Sequence, residues 1–179
     1  MQYGLLSKAL RFAAEKHEGD YRDGENALPY ATHPFEVCIL LRYVGNVTDE
    51  DQLCAAALHD VLEETSVTPS ELEAEFGAGV TELVQELTRF EPNSDQTAGM
   101  SKGEIWLLRA NMLLAEIKLM SPRAQVVKLA DRLANLREAK LTKTGEKLRR
   151  YERQSKRILE IIPKSINPDL WKAIASELA

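Results

Sequence analysis

The sequence predicts an all-α fold, built as a single compact multi-helix domain spanning residues 1–179. Three observations carry this. Apolar residues recur at steps of three and four, pairs of a polar residue and a proline precede the periodic segments, and no stretch alternates with period two for long. The first helix is expected over 3–17. The stretch from Gly19 to Thr32 contains two glycines and a proline before Pro34 and reads as irregular. A second helix, 34–45, opens at Thr32-His33-Pro34, because proline suits the first helical turn, where its missing N–H costs nothing. A third runs over 49–64 as one element. Thr68-Pro69 opens a helix over 69–76, and Glu71, three residues after Thr68, completes a capping box. A helix over 78–90 follows. Glu91 to Gly103, rich in Pro, Asn, Ser, Asp and Gly, is expected to be a mobile loop.

The later helices show the periodicity most clearly. Ile105, Leu108, Met112, Ala115 and Leu119 mark 103–120. Ser121-Pro122 opens 122–139, with Val126, Leu129, Leu133 and Leu136 on one stripe. Leu148, Tyr151, Ser155, Ile158 and Ile162 mark 144–162, and Asn167-Pro168 opens a last helix, 168–178, expected to pack on the rest. No repeat, low-complexity tract or composition shift divides the chain.

Composition narrows the function classes. The 179 residues are 44% apolar, enough for a core without disulfides, and 28% charged. Charges interrupt every apolar run before the ~20 residues of a membrane span, so no membrane partner is expected. Met1 to Leu10 lack the apolar stretch of a signal peptide. Cys38 and Cys54 sit in apolar runs and read as reduced core thiols, hence a cytoplasmic protein. The net charge of −5 argues against binding long nucleic acid, while leaving room for a local basic pocket for a small anion. Oligomeric state is left open.

The chemistry concentrates around three segments. His59-Asp60 lies in Ala55-Ala56-Ala57-Leu58-His59-Asp60-Val61-Leu62-Glu63-Glu64-Thr65, where small and apolar residues imply a largely buried helix. By itself the dipeptide reads first as a satisfied core histidine with a capping aspartate. On an unbroken helix, however, Glu63 shares a face with His59, and Glu64 with Asp60, one turn on. Three carboxylates and an imidazole so close repel one another unless cations or protons join them. Lys128-Leu129-Ala130-Asp131-Arg132-Leu133-Ala134-Asn135 is the second segment; its plain alternative is a set of local surface ion pairs. His33, at a helix start, is the third. His33, His59, Asp60 and Asp131 together would make a mixed N/O site suited to six-coordinate Mn²⁺, Fe²⁺, Mg²⁺ or another divalent ion, without the cysteines of structural zinc. Such an ion acidifies water and polarises phosphoryl oxygens.

The order His33, His59-Asp60, Asp131 resembles the HD-domain metal phosphohydrolases. Further strings bring the resemblance closer to the hydrolase domain of RelA/SpoT alarmone enzymes, and to the stand-alone small alarmone hydrolases of metazoan SpoT-homologue type. They are Ala14 to His17, Pro29-Tyr30, Phe76-Gly77 with Val80, Leu83-Val84 leading to Leu87-Thr88, and Asn135; the likeness spans about 5–160. It implies an all-helical domain with a central site. It implies His33, His59, Asp60 and Asp131 as metal ligands, usually for Mn²⁺, and Glu63 and Glu64 as the acids that handle water and protons. It also implies Arg22, Asn135 and Tyr151 as nucleotide-binding residues. The expected reaction is removal of the 3′-diphosphate from guanosine 3′,5′-bis(diphosphate), ppGpp. The alternatives are an HD phosphohydrolase for another nucleotide, such as NADPH 2′-phosphate or a deoxynucleotide, and a non-catalytic nucleotide sensor. Two positions depart from the family pattern: Glu64 replaces the usual aspartate, and Asp23 follows Arg22 where lysine is usual. From Lys140 to Arg157, eight basic residues stand against Glu146 and Glu152, mostly on an expected solvated face with one or two reaching a phosphate. His17, Trp106 and Trp171 read as core or supporting residues.

Overall fold

The computed structural model describes residues 4–22 and 27–179; among these, eleven helices and no strand occur. The helices are α1 (Gly4–Lys16), α2 (Thr32–Tyr43), α3 (Glu50–Leu58), α4 (Val61–Glu64), α5 (Pro69–Phe76), α6 (Ala78–Leu87), α7 (Ser94–Thr97), α8 (Lys102–Leu119), α9 (Pro122–Thr142), α10 (Gly145–Ile161) and α11 (Pro168–Glu177). No helix among the described residues is long and apolar enough to cross a membrane.

Two helices form the centre. α3 packs on α1, α2, α6 and α9, and α9 packs on α2, α3, α6, α10 and α11. The sequences say why. Every residue of α3 from Gln52 to Leu58 is buried, as is every residue of α9 from Ala124 to Leu136 except Asn135. A helix surrounded by neighbours must be apolar or small all round. Ala55, Ala56 and Ala57 make α3 thin enough for several helices to approach it closely.

Side-chain caps set most helix starts. Asp49, Thr68, Ser121 and Asn167 each accept a hydrogen bond from the backbone N–H three residues on. The expected capping box at Thr68 is only half formed, because the Glu71 carboxylate pairs with Lys16 of α1 at 2.8 Å instead. Thr32 does not cap α2. It lies inside the first turn, and its hydroxyl donates to the Pro29 carbonyl at 2.8 Å. The 91–103 stretch is not purely irregular: Asn93 with Gln96 and Ser101 with Glu104 form complete capping boxes that start α7 and α8.

The largest departure from expectation lies at 49–64. α3 stops at Leu58, His59 and Asp60 form a corner, and α4 restarts at Val61. Beyond α1, Tyr21 and Pro29 form an isolated antiparallel bridge, with Arg22 N–H donating to the Leu28 carbonyl at 2.9 Å. That pairing sets Arg22 and Tyr30 side by side. α11 seats on the end of α2 at Gly45, where any Cβ would meet the Leu41 carbonyl and Leu170 at 2.8 Å. Cys38 and Cys54 are both free and buried.

Candidate active site

Four elements converge on one point. His33 comes from the first turn of α2, His59 and Asp60 from the corner between α3 and α4, and Asp131 from the middle of α9. Both corner residues keep right-handed helical dihedrals, and His59 Nε2 lies 3.2 Å from Asp60 Oδ1. The restart is held by the Asp60 carbonyl, which accepts from the N–H groups of Glu63 at 3.1 Å and Glu64 at 2.9 Å.

The ligand atoms of His33, His59 and Asp60 all lie within 4.8 Å of one another. Asp131 Oδ1 stands 3.3 Å from His33 Nε2 and 3.8 Å from His59 Nε2. His59 Nδ1 lies 2.9 Å from the Ala56 carbonyl, which can only accept, so Nδ1 carries the proton and Nε2 presents its lone pair. That Nε2 is buried and has no hydrogen-bond partner. A buried orphan lone pair flanked by carboxylates is the donor set a divalent cation requires.

The carboxylates are held ionised. Burial alone would raise Asp60, but the positive charge that His59 and His33 carry when protonated outweighs it and brings its carboxyl below the ordinary value. Burial likewise opposes ionisation of Asp131, yet Lys128, with Nζ 2.8 Å from Oδ2, and the two histidines hold it well below. Each carboxylate is also positioned by a neutral donor. Tyr30 OH donates to Asp60 Oδ2 at 2.7 Å, and Asn135 Nδ2 donates to Asp131 Oδ1. Burial first, and the Asp60 charge second, push the Tyr30 hydroxyl up, so it stays a donor. The Tyr30 ring stacks on His17, with centroids 4.5 Å apart, and His17 is thereby a support behind Asp60.

These groups open onto a cavity of about 560 Å³. Arg22, Glu63, Glu64, Asn135 and Tyr151 all line it, with His33, Asp60 and Asp131; His59 lies behind the surface. Glu63 accepts from Arg89 Nη2 at 2.6 Å and from the Arg89 N–H at 3.3 Å. Glu64 has no such anchor. Burial, Glu63 and Asp60 push its carboxyl up, and Arg89 only partly offsets them. Arg22 is engaged by Glu138 and donates to Asn135 Oδ1 at 3.3 Å. Asp23 lies outside the described residues. Of the basic run, Lys143, Lys147 and Arg150 reach the cavity, while Arg149 and Arg153 pair with Glu146 on the outer face.

Several participants escape sequence reasoning. Trp106 is not core: it lines the cavity with Arg150 stacked 5.0 Å from its ring. Trp171 is half-buried and donates to the Leu159 carbonyl at 3.2 Å. Arg89 carries no motif signal, and the helix expected over 78–90 stops at Leu87, which leaves Arg89 outside it where it reaches Glu63. Tyr30 sits in the string with His33, but only the tertiary contact with Asp60 reveals its role.

A family model for the HD domain matches residues 9–160. The chain belongs to the HD-domain family. Membership implies a divalent-metal site, and among the described residues the donor atoms of His33, His59 and Asp60 cluster as such a site needs. Relatives include the Xenopus tropicalis guanosine-3′,5′-bis(diphosphate) 3′-pyrophosphohydrolase MESH1, 38% identical over 136 residues, covering 76% of this chain and 70% of the relative. The Homo sapiens protein of the same name is 38% identical over 133 residues, covering 74% and 68%. Among solved structures, a metazoan ortholog of SpoT that hydrolyses ppGpp superposes with a TM-score of 0.84 at 29% identity, covering 97% of this chain and 93% of that chain.

Proposed function

We propose that this protein hydrolyses guanosine 3′,5′-bis(diphosphate) at its 3′ position, releasing diphosphate, with Mn²⁺ as its metal. The observation that carries the reading is the orphan His59 Nε2, clustered with His33 and Asp60 behind a cavity that holds both a free carboxyl, Glu64, and basic groups from α10. The relatives named for this reaction supply the substrate.

His33, His59, Asp60 and Asp131 would hold the metal; three or four protein donors leave positions open on a six-coordinate ion. When bound, a divalent cation supplies Lewis acidity, favouring ionisation of water near neutral pH and charge development on a phosphoryl oxygen. Glu63, fixed by Arg89, orients the attacking water. Glu64 takes the water's proton, since a carboxyl pushed upward is a better base than an ordinary one. The water oxygen bonds to the phosphorus attached at the ribose 3′ oxygen, and that P–O bond breaks. The protonated Glu64 returns its proton to the departing 3′ oxygen. The products are guanosine 5′-diphosphate and diphosphate, so no charge or atom is left over. Lys147 and Arg150 offset the added negative charge of the transition state. Free buried cysteines fit a reducing compartment, consistent with the cytoplasm.

The test is ppGpp turnover by metal-stripped protein resupplied with Mn²⁺, with diphosphate and phosphate measured separately. Diphosphate release that requires Mn²⁺, and that His59→Ala and Asp60→Ala abolish, is expected. A protein that binds Mn²⁺ and releases nothing from ppGpp sinks the reading; phosphate release from another nucleotide would replace it.

A further inference from the structure

The Lys128 to Asn135 segment contains a charge that the metal centre does not use. Lys128, three residues before Asp131, shares its face and pairs with its Oδ2 at 2.8 Å. Arg132, one residue after Asp131, projects about 100° away and misses that pair. It is only 5% exposed, its Nε and Nη1 are buried with no hydrogen-bond partner, and no described carboxylate pairs with it. The Tyr151 ring centroid lies 6.0 Å from its guanidinium carbon. Asp131 lies near enough to attract it and Arg89 near enough to repel it.

Asp131 attracts this buried guanidinium without bonding to it, and buried guanidinium donors left without an acceptor are expensive, so an acceptor from outside the fold is the partner Arg132 lacks. Arg132 lines the same cavity as Lys147 and Arg150. Guanidinium offers parallel N–H donors that match two oxygens of a phosphate. We propose that Arg132 is a phosphate-binding residue, whose guanidinium receives phosphate oxygens of the nucleotide that enters the cavity. The inference rests on the proposed nucleotide chemistry for its ligand class but not on turnover. The phosphate belongs either to the departing diphosphate or to the retained 5′-diphosphate, and the two are separable.

The experiment is calorimetric binding of inorganic pyrophosphate, guanosine 5′-diphosphate and guanosine to the Mn²⁺-loaded protein and to its Arg132→Met and Arg132→Lys variants, with bound metal measured in each. We expect Arg132→Met to weaken one of the two phosphate ligands roughly tenfold to hundredfold, the loss expected for a charge-assisted phosphate contact. Guanosine affinity and metal content should stay at wild-type levels, and Arg132→Lys should recover part of the loss. Weakening of pyrophosphate places the departing group on Arg132; weakening of guanosine 5′-diphosphate places the retained one there. Unchanged affinity for both, or equal losses for guanosine and the phosphate ligands, overturns the proposal. So does a wild type that binds neither phosphate ligand. If Arg132→Met does not fold, Arg132→Lys must still lower phosphate affinity selectively, and an unaltered affinity in that variant is equally fatal. Wild-type protein that binds these phosphates through Arg132 but does not hydrolyse ppGpp would sink the functional reading and leave this one standing.

Discussion

Tyr30 and Arg89 touch the site's acids without being among its expected ligands. Tyr30 OH holds Asp60 Oδ2 at 2.7 Å, and a hydrogen bond to a metal-ligating carboxylate typically tunes affinity by ten- to a hundredfold. Tyr30→Phe is therefore expected to weaken Mn²⁺ binding by about tenfold with helicity unchanged. A Mn²⁺ titration that matches wild type would mean Asp60 is fixed by the corner backbone alone. Arg89 is the charge that restrains the upward push on Glu64. In Arg89→Met that restraint goes, so the Glu64 carboxyl rises further. A base works only when deprotonated, so the acidic limb of kcat/KM should move to higher pH while the alkaline limb stays. An acidic limb that does not move would remove Glu64 from the proton transfer.

Among the elements, the α3–α4 corner matters most. A stretch rich in alanine and leucine predicts one helix through Glu64, and local propensity offers no reason to stop. The stop comes from packing: α3 is enclosed by α1, α2, α6 and α9, and its end turns so that His59 and Asp60 face His33 and Asp131. The opposite end of α3 is anchored by Asp49, which caps Gln52 N–H at 3.0 Å and pairs with Arg123 of α9 at 2.7 Å. Asp49→Ala should cost about 1 kcal/mol at neutral pH, mostly for the cap, since the pair with Arg123 is largely solvent-exposed. Burial opposes ionisation of Asp49, but the Gln52 N–H and Arg123 outweigh it, and its folded-state carboxyl lies below the ordinary value. A depressed carboxyl contributes stability above its unfolded value, about pH 4, and loses it as pH falls through the folded one. Urea unfolding should therefore show the gap between wild type and Asp49→Ala shrinking below pH 4. A gap that is constant with pH would assign the effect to helix propensity instead.

For the whole molecule, α9 is the shared member: it carries Asp131, Lys128, Arg132 and Asn135 and contacts five other helices. Site and core are thus one body, and we expect the chain to unfold as a single cooperative unit. Binding of Mn²⁺ to the native state alone should raise Tm with concentration, by an increment worth about 2.7 kcal/mol at a hundred times Kd. Circular dichroism at several Mn²⁺ concentrations checks this, with His59→Ala as the variant whose Tm should not respond. A Tm indifferent to Mn²⁺ in the wild type would count against metal binding at this centre.

Much of this was legible along the chain. Periodicity and polar–proline starts determined the all-helical class and nearly every helix, because burial of an apolar stripe is a local pattern that survives in one dimension. His33, His59-Asp60 and Asp131 could be picked out along the chain too, from their order and their likeness to HD-domain hydrolases, and the fold brings them together; their roles, with those of Glu63 and Glu64, are what the proposed experiments test. What the chain could not reveal were contacts between distant segments. Arg89 reaching Glu63, Tyr30 reaching Asp60, Trp106 leaving the core for the cavity and Arg132 left with buried donors unbonded each depend on how helices cross. The site itself is of the same kind: the chain carries His59 and Asp60 side by side, but only the packing of α2 and α9 against α3 brings His33 and Asp131 to them, because contacts between distant segments exist only in three dimensions.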